Sequence, residues 1–264
     1  MRSVSPVSNS EQDLAVAGFD LELSYREDTV LCCTDFRIPR GALTVLIGSN
    51  GSGKSTLLNA IAGIIEPVRG SLVVLGQAPG SDKSTVSYVL QVTADEVLLP
   101  VTVREIVMMG RFAYRGLLGR INDSDRRAVE SAIMTMELDS VANSRLSELS
   151  VGQRQRALIA QGIAQEAEIL LLDEPMNGLD IVSRERTLDM VQREKLAGRT
   201  VVMASHDLDE ARLADHVILL AGRVVAEGEP SDVLTAGNLG EAYGKRYLSL
   251  GAQDGIVDDH HHHG

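Results

Sequence analysis

The chain has 264 residues, of which 44% are hydrophobic, so it is long enough for one large domain and too apolar for wholesale disorder. Its 25 basic and 37 acidic side chains give a formal net charge of −12, which disfavours a broad basic face, and we expect no nucleic-acid partner. It has no apolar run of about 18 residues and no secretory signal at the N-terminus, which predicts a cytoplasmic location.

The two cysteines, Cys32 and Cys33, are adjacent in the sequence. Neighbouring side chains of an extended segment point to opposite faces, so we expect no disulfide between them. They are interpreted as small core residues in a reducing compartment.

The N-terminal part of the chain is predicted to be mainly β-structure. From Phe19 to Tyr25 apolar and polar residues alternate, which is typical of a strand with one buried face. Further strands are predicted at residues 30–38, 43–47 and 72–75, and a helix at 54–62.

The middle of the chain changes to a helical pattern. Thr102 and Glu105 have the spacing of a capping box, which predicts a helix start. A glycine-bearing connector at 115–120 and a second helix at 124–138 follow. The block is interpreted as a helical insertion.

The last part alternates between strands and helices, which indicates a mostly parallel sheet. The predicted helices are 153–165, 183–195 and 209–213, and the predicted strands are 169–173, 200–204, 217–220 and 224–226. The predicted domain organisation is a disordered lead-in at 1–18, one domain at 19–250 with the insertion at about 92–150, and a polar tail at 251–264. The tail carries four consecutive histidines, which fit a native metal-sensing segment or a purification tag.

The segment from Gly48 to Ser55 fits the phosphate-binding pattern G-x₄-G-K-[ST] and lies between a predicted strand and a predicted helix. Its glycines let consecutive backbone N–H groups face a phosphate, and the helix N-terminus adds partial positive charge. Lys54 is expected to reach the β- and γ-phosphates of a nucleotide, and Ser55 to bind Mg²⁺.

A second group of polar residues follows two predicted strands. Asp173 and Glu174 end the apolar run ILLL, and His206 comes after the strand at 200–204. Ligands bind where parallel strands end, so Asp173 is expected to hold Mg²⁺ through water, and Glu174 to orient or deprotonate the attacking water. His206 is assigned a catalytic role beside Glu174 and Lys54.

With these motifs the chain resembles the ATP-binding subunits of ABC transporters. Residues 149–153, LSVGQ, are similar to the family signature LSGGQ, and Gln91 matches the family's Q-loop glutamine. Asp180 matches the D-loop, His206 the switch histidine, and Tyr25 the aromatic residue that stacks on adenine. The matching order and spacing extend from about Phe19 to Leu234. The resemblance implies an α/β P-loop NTPase core with a mostly parallel sheet, an antiparallel β subdomain at the N-terminus and a helical insertion.

The resemblance also implies a homodimer that holds two ATP molecules between its subunits. Ser150, Gly152 and Gln153 of one subunit would contact the γ-phosphate held by Lys54 of the other. The implied Mg²⁺ ligands are Ser55, Gln91 and Asp173. The residues implied to contact nucleotide are Tyr25, Gly48, Ser49, Asn50, Gly51, Ser52, Gly53, Lys54, Ser55, Thr56, Gln91, Ser150, Gly152, Gln153 and Asp180. Val151 departs from the signature, and its β-branched side chain is expected to weaken closure of the dimer.

The helical block, notably residues 103–111 and 116–119, resembles that of bacterial manganese, zinc and iron importers. This implies a peripheral ATPase at the cytoplasmic face of the membrane, bound to an integral membrane permease and served indirectly by a substrate-binding protein. The alternative is a soluble ABC ATPase without a permease, such as an iron–sulfur assembly scaffold. The sequence leaves the transported substrate open.

Overall fold

In the computed structural model, residues 13–25, 28–90, 100–115 and 120–244 are described, with the backbone alone at 113–115. The predictions for Gln91, for residues 116–119 of the connector at 115–120 and for the histidine-bearing tail lie outside these residues. Within the described ranges, no helix is both long and apolar enough to cross a membrane.

The described residues form nine strands and eight α-helices, and strands alternate with helices between residues 169 and 220. The strands are β1 (Leu14–Tyr25), β2 (Asp28–Pro39), β3 (Leu43–Ile47), β4 (Arg69–Val74), β5 (Val86–Val89), β6 (Ile169–Asp173), β7 (Thr200–Ser205), β8 (His216–Leu220) and β9 (Val224–Gly228). The helices are α1 (Lys54–Ile61), α2 (Val103–Arg115), α3 (Asp123–Thr135), α4 (Val151–Ala164), α5 (Ile181–Leu196), α6 (Leu208–Arg212), α7 (Pro230–Val233) and α8 (Ala236–Tyr243). Two 3₁₀ turns, Asp139–Val141 and Leu146–Glu148, lie between α3 and α4.

The strands form two sheets. The smaller sheet is antiparallel, in the order β2-β1-β4, and the larger has the order β5-β6-β7-β3-β8-β9. All pairs in the larger sheet are parallel except β8 with β9. The predicted α/β class, with a mostly parallel sheet, an antiparallel N-terminal part and a helical insertion, is confirmed.

The larger sheet is buried on both faces, which explains the continuous apolar runs of its central strands. One face packs on α1 and the smaller sheet, with Leu46, Leu171 and Val202 among the buried residues. The other face packs on the helical side, where Val45 and Leu172 join a cluster that extends into α2, α3 and α4. Each fully buried aliphatic side chain contributes about 1.5–3 kcal/mol to folding, so these two layers hold the strand ends in fixed positions.

Strand β1 begins at Leu14, within the segment predicted as a lead-in. Val16 pairs with Ile38 of β2 and with Val74 of β4, and it is buried. The predicted alternation does not hold at Phe19, which is 39% exposed, because Asp20 has φ 46° and the register shifts between Gly18 and Leu21. Residues 15–18 are all buried, and the alternation of buried and more exposed residues begins at Leu21.

The interpretation of Cys32 and Cys33 as core residues on opposite faces is wrong. Both are exposed free thiols, and their Sγ atoms lie 2.9 Å apart. Leu21 pairs with Thr34 and Leu23 with Leu31, so β2 carries one extra residue there. Cys33 has φ 46°, which is typical of a β-bulge, and the bulge puts both side chains on the solvent side.

The first helix of the insertion begins where the sequence predicts it. The backbone N–H of Thr102 donates to Glu105 Oε2 (2.7 Å), and that of Glu105 donates to Thr102 Oγ1 (3.3 Å), which confirms the capping box. Helix α3 begins at Asp123, where Asn122 caps it, and ends three residues before the predicted boundary at Leu138. Glu137, with φ 52°, turns the chain out of the helix.

Candidate functional site

The phosphate-binding loop joins β3, which ends at Ile47, to α1, which begins at Lys54. Two of its glycines are required by space. A Cβ on Gly48 would lie 2.4 Å from the carbonyl oxygen of Leu220, and one on Gly53 would lie 2.3 Å from Leu31 Cδ1. Gly53 also has φ 104°, which residues with a side chain rarely adopt. The loop therefore curls tightly around the start of α1, whose first-turn N–H groups favour an anion.

Lys54 lies across this loop. Its side chain is only 5% exposed, and its Nζ donates to the carbonyl oxygens of Gly48 (2.8 Å) and Ser49 (3.2 Å). The same Nζ is 3.7 Å from Glu174 Oε1, at the end of β6. The fold thus brings together the lysine of the loop and the carboxylate predicted to act on water.

Asp173 accepts hydrogen bonds from two side chains on different elements. Ser55 Oγ donates to its Oδ1 (3.1 Å), and the hydroxyl of Tyr88 donates to its Oδ2 (3.2 Å). Burial raises the pKa of the Asp173 carboxyl, while these two hydrogen bonds oppose the rise. Ser55 and Asp173 supply hard oxygen atoms side by side, which is the ligand type that Mg²⁺ prefers.

Tyr88 is a site residue that the sequence analysis missed. It lies on β5, a four-residue strand in a polar segment where no strand was predicted, and β5 pairs in parallel with β6. This pairing puts Tyr88 opposite Leu171, two residues before Asp173. Burial raises the pKa of Tyr88, and the charge of Asp173 raises it further, so the phenol remains a donor.

Glu174 has a strained backbone, with φ 45°. For a residue with a side chain this conformation costs about 1–3 kcal/mol, and such strain is concentrated at functional positions. The backbone N–H of Glu174 donates to the carbonyl oxygen of Ala204 on β7 (3.1 Å), which holds the turn. The side chain is 14% exposed, and its Oε2 lies 3.3 Å from Asn177 Nδ2 and 3.7 Å from His206 Nδ1. The carboxylate therefore lies between Lys54 and His206.

Ser150, Gly152 and Gln153 lie at the start of α4. Ser150 Oγ accepts from the backbone N–H of Gln153 (3.2 Å), and Gln153 Oε1 accepts from the backbone N–H of Ser150 (3.0 Å), so the pair forms a capping box. A Cβ on Gly152 would lie 2.6 Å from Ser183 Oγ and 3.3 Å from its Cβ, so α4 approaches α5 closely at this glycine. Asp180 caps α5 through the backbone N–H of Ser183 (2.8 Å).

Three apolar side chains are exposed at these helix starts. Val151 is 61% exposed, and Ile181 and Val182 at the start of α5 are 76% and 55% exposed. Tyr25, the aromatic residue expected at adenine, is also exposed, at the end of β1. Ser49, Asn50, Gly51 and Ser55 are exposed in the phosphate loop and at the start of α1, Thr56 is half-buried, and Ser52 is buried.

The fold and this site define a P-loop nucleotide-binding ATPase domain. The sequence pattern of the ABC transporter family matches residues 33–177. The chain belongs to that family, whose members bind nucleotide, and it is an ABC ATPase. Cassettes of the family form dimers and belong to transporter complexes with membrane subunits.

Relatives and solved structures agree over most of the chain. It is 35% identical over 248 residues to the zinc transport system ATP-binding protein of Treponema pallidum, covering 94% of this chain and 93% of that protein. It is 35% identical over 209 residues to a manganese transport system ATP-binding protein of Synechocystis, covering 77% of this chain and 80% of that protein.

Two solved structures share the fold. One is the cbiO1 protein of Clostridium perfringens, part of an ABC transporter complex, with a TM-score of 0.74, 26% identity, and coverage of 90% of this chain and 96% of that one. The other is a bacterial ABC transporter cassette solved as a dimer, with a TM-score of 0.71 and 26% identity. The match covers 81% of this chain and 98% of that one.

Proposed function

We propose that this chain energises the import of a divalent metal ion, or of a metal chelate, as the ATP-hydrolysing subunit of a membrane transporter. The observation that carries the proposal is its similarity to the zinc transport relative, which extends over 93% of that protein. The manganese transport relative supports the same class of cargo. The chain would lie at the cytoplasmic face of the membrane, against an integral membrane permease, with a substrate-binding protein delivering cargo to the permease.

The nucleotide would bind with its phosphates at the start of α1. Lys54, already directed across the loop, would contact the β- and γ-phosphates, and the exposed ring of Tyr25 would stack on adenine. Ser55 and Asp173 fit a Mg²⁺ ion, which supplies charge neutralisation at the phosphates. Gln91, assigned to the same ion by resemblance, lies outside the described residues.

Glu174 is proposed to accept a proton from the water that attacks the γ-phosphorus. Water then adds its oxygen to phosphorus, the bond to the β-phosphate oxygen breaks, and ADP and phosphate leave. His206 Nδ1, 3.7 Å from Glu174 Oε2, would help to hold the water and the γ-phosphate in line. Lys54 would turn from Glu174 toward the phosphates as they bind, which leaves the carboxylate freer to act as a base.

The second half of each site is proposed to come from another copy of the chain. In the described structure, the hydrogen bonds of Ser150 and Gln153 cap their own helix. Val151 at the start of α4, and Ile181 and Val182 at the start of α5, are exposed apolar residues, as expected for a face that a partner covers. A two-fold dimer would place each α4 N-terminus against the other copy's phosphates.

The cargo is tested by reconstitution. Proteoliposomes are assembled from the chain, its copurifying membrane permease and a substrate-binding protein. The substrate-binding protein is loaded with Mn²⁺, Zn²⁺ or an iron chelate. We expect ATP hydrolysis to rise with one of these loaded proteins and the metal to enter the lumen, and Glu174→Gln to abolish both. Hydrolysis that responds to none of them would contradict the metal assignment. A chain that binds no permease and carries an iron–sulfur cluster would support the scaffold alternative.

A further inference from the structure

Arg184, in the first turn of α5, contacts the loop that carries His206. Its Nη2 forms an ion pair with Asp207 Oδ2 and donates to Glu210 Oε1 (2.7 Å) on α6. One guanidinium therefore joins the start of α5, just after Asp180, to the segment that follows β7. The motifs do not include Arg184.

The two carboxylates fix the chain on both sides of His206. Glu210 Oε2 accepts from Ser205 Oγ (2.6 Å), and the same Ser205 oxygen accepts from the backbone N–H of Asp207 (2.9 Å). Asp207 Oδ1 also accepts from the backbone N–H of Asp209 (2.8 Å), which caps α6. The residues before and after His206 are thus held by one network, while the histidine side chain is 48% exposed beside Glu174.

The network needs the cation of Arg184. The side chain of Glu210 is only 7% exposed, and burial raises the pKa of its carboxyl, while the Ser205 hydroxyl and Arg184 oppose the rise. Loss of the guanidinium leaves a buried carboxyl without its charged partner, so this group must take up a proton or move, and either change disturbs its contact with Ser205.

The same arginine adjoins the contact between α4 and α5. Ser183, its neighbour, donates through Oγ to Asp180 Oδ2 (3.1 Å) and lies against Gly152. A shift of the α4 N-terminus therefore acts on the turn of α5 that holds Arg184.

We propose that Arg184 is a positioning residue that couples the faces of α4 and α5 to the placement of His206. This inference rests on the proposed role of His206 in hydrolysis. Arg184 does not touch the reacting atoms; it acts through Asp207 and Glu210.

The test is steady-state ATP hydrolysis by the full chain carrying Arg184→Ala, with Arg186→Ala as a matched control. Arg186 is on the same helix and pairs with Glu137 at 3.2 Å, away from the His206 loop. We expect Arg184→Ala to lower kcat on the order of tenfold with little change in the KM for ATP, because the variant misaligns His206 without removing a contact to ATP. Arg186→Ala should keep the wild-type kcat.

Two further variants separate positioning from a loss of folding. Arg184→Lys should recover part of kcat, since an ammonium pairs with one carboxylate but cannot span both as the guanidinium does. In single-turnover measurements, adding Arg184→Ala to His206→Ala should cause no further loss, because both act through one histidine. An unchanged kcat in Arg184→Ala, or an equal loss in the two arginine variants, would overturn the proposal. A wild-type chain without ATPase activity would instead overturn the proposed function.

Discussion

Lys54 Nζ and Glu174 Oε1 lie 3.7 Å apart, and both side chains are largely buried, at 5% and 14% exposed. The first belongs to the loop after β3 and the second to the end of β6, with β7 between these strands in the sheet. The parallel sheet thus places the ammonium group of Lys54 and the carboxylate of Glu174 on one edge. In the proposed reaction, phosphate oxygens compete with Glu174 for the lysine.

Glu174→Gln should retain ATP binding and lose hydrolysis by about 10²-fold or more. The amide can still hydrogen-bond with Asn177, but it cannot accept a proton at neutral pH. The variant should accumulate as an ATP-bound dimer, which size-exclusion chromatography with ATP will detect. Turnover near that of the wild type would remove Glu174 from the proposed role.

Tyr88→Phe should raise the Mg²⁺ concentration for half-maximal ATPase activity by about tenfold, because it removes a hydrogen bond that orients Asp173. The ring can stay packed, so the folded structure should persist by circular dichroism. Titration of activity with Mg²⁺ at saturating ATP measures the effect. A Mg²⁺ requirement equal to that of the wild type would show that Ser55 and the sheet position Asp173 without the phenol.

Asp173→Asn should raise Tm at pH 7 to 8 while abolishing most activity. Burial raises the pKa of Asp173 above its ordinary value of 3.8, so ionisation of this group costs the folded state stability. The cost is small below pH 3.8, grows between pH 3.8 and the raised pKa of the folded state, and is complete above that pKa. The difference in Tm should therefore shrink as the pH falls toward 4. A Tm below that of the wild type at pH 8 would contradict this prediction.

Val151→Gly should strengthen the ATP-dependent dimer. Val151 is 61% exposed at the start of α4, and glycine there would let the two copies approach more closely. The greater freedom of glycine costs about 0.5–1 kcal/mol at most, and the closer charge-assisted contacts act at both sites of the dimer. Dimerisation measured in the Glu174→Gln background is the test. If the Val151→Gly dimer is no stronger than the dimer with Val151, the valine does not weaken dimerisation.

The sequence predicts well those features that depend on local pattern. Strands β3 and β6 lie where their apolar runs predict them, residues 43–47 and 169–173, because both are buried on two faces and bounded by polar residues. The phosphate loop also lies where its sequence pattern predicts it, between β3 and α1.

Features that depend on distant pairing were missed. Strand β5 has four residues and owes its place to β6, about 80 positions further along, so Tyr88 gave no signal of its own. The bulge at Cys33 depends on the register between two strands, which hydrophobic periodicity does not reveal. The positive φ of Glu174 is a strained backbone conformation, and periodicity does not reveal it either. The pairing of Arg184 with Asp207 joins residues 23 positions apart, which spacing alone does not predict.

Mixing two inactive variants shows whether each ATP site is completed by a second copy of the chain. Lys54→Ala removes the phosphate contact. Val151→Glu adds a charge that would repel the partner's γ-phosphate, at an exposed position that the fold should tolerate. Each variant alone should hydrolyse ATP poorly. In a mixed dimer, one site would combine an intact Lys54 with an intact signature, so an equal mixture should regain roughly a quarter of wild-type activity. A mixture no more active than its two components would contradict the account.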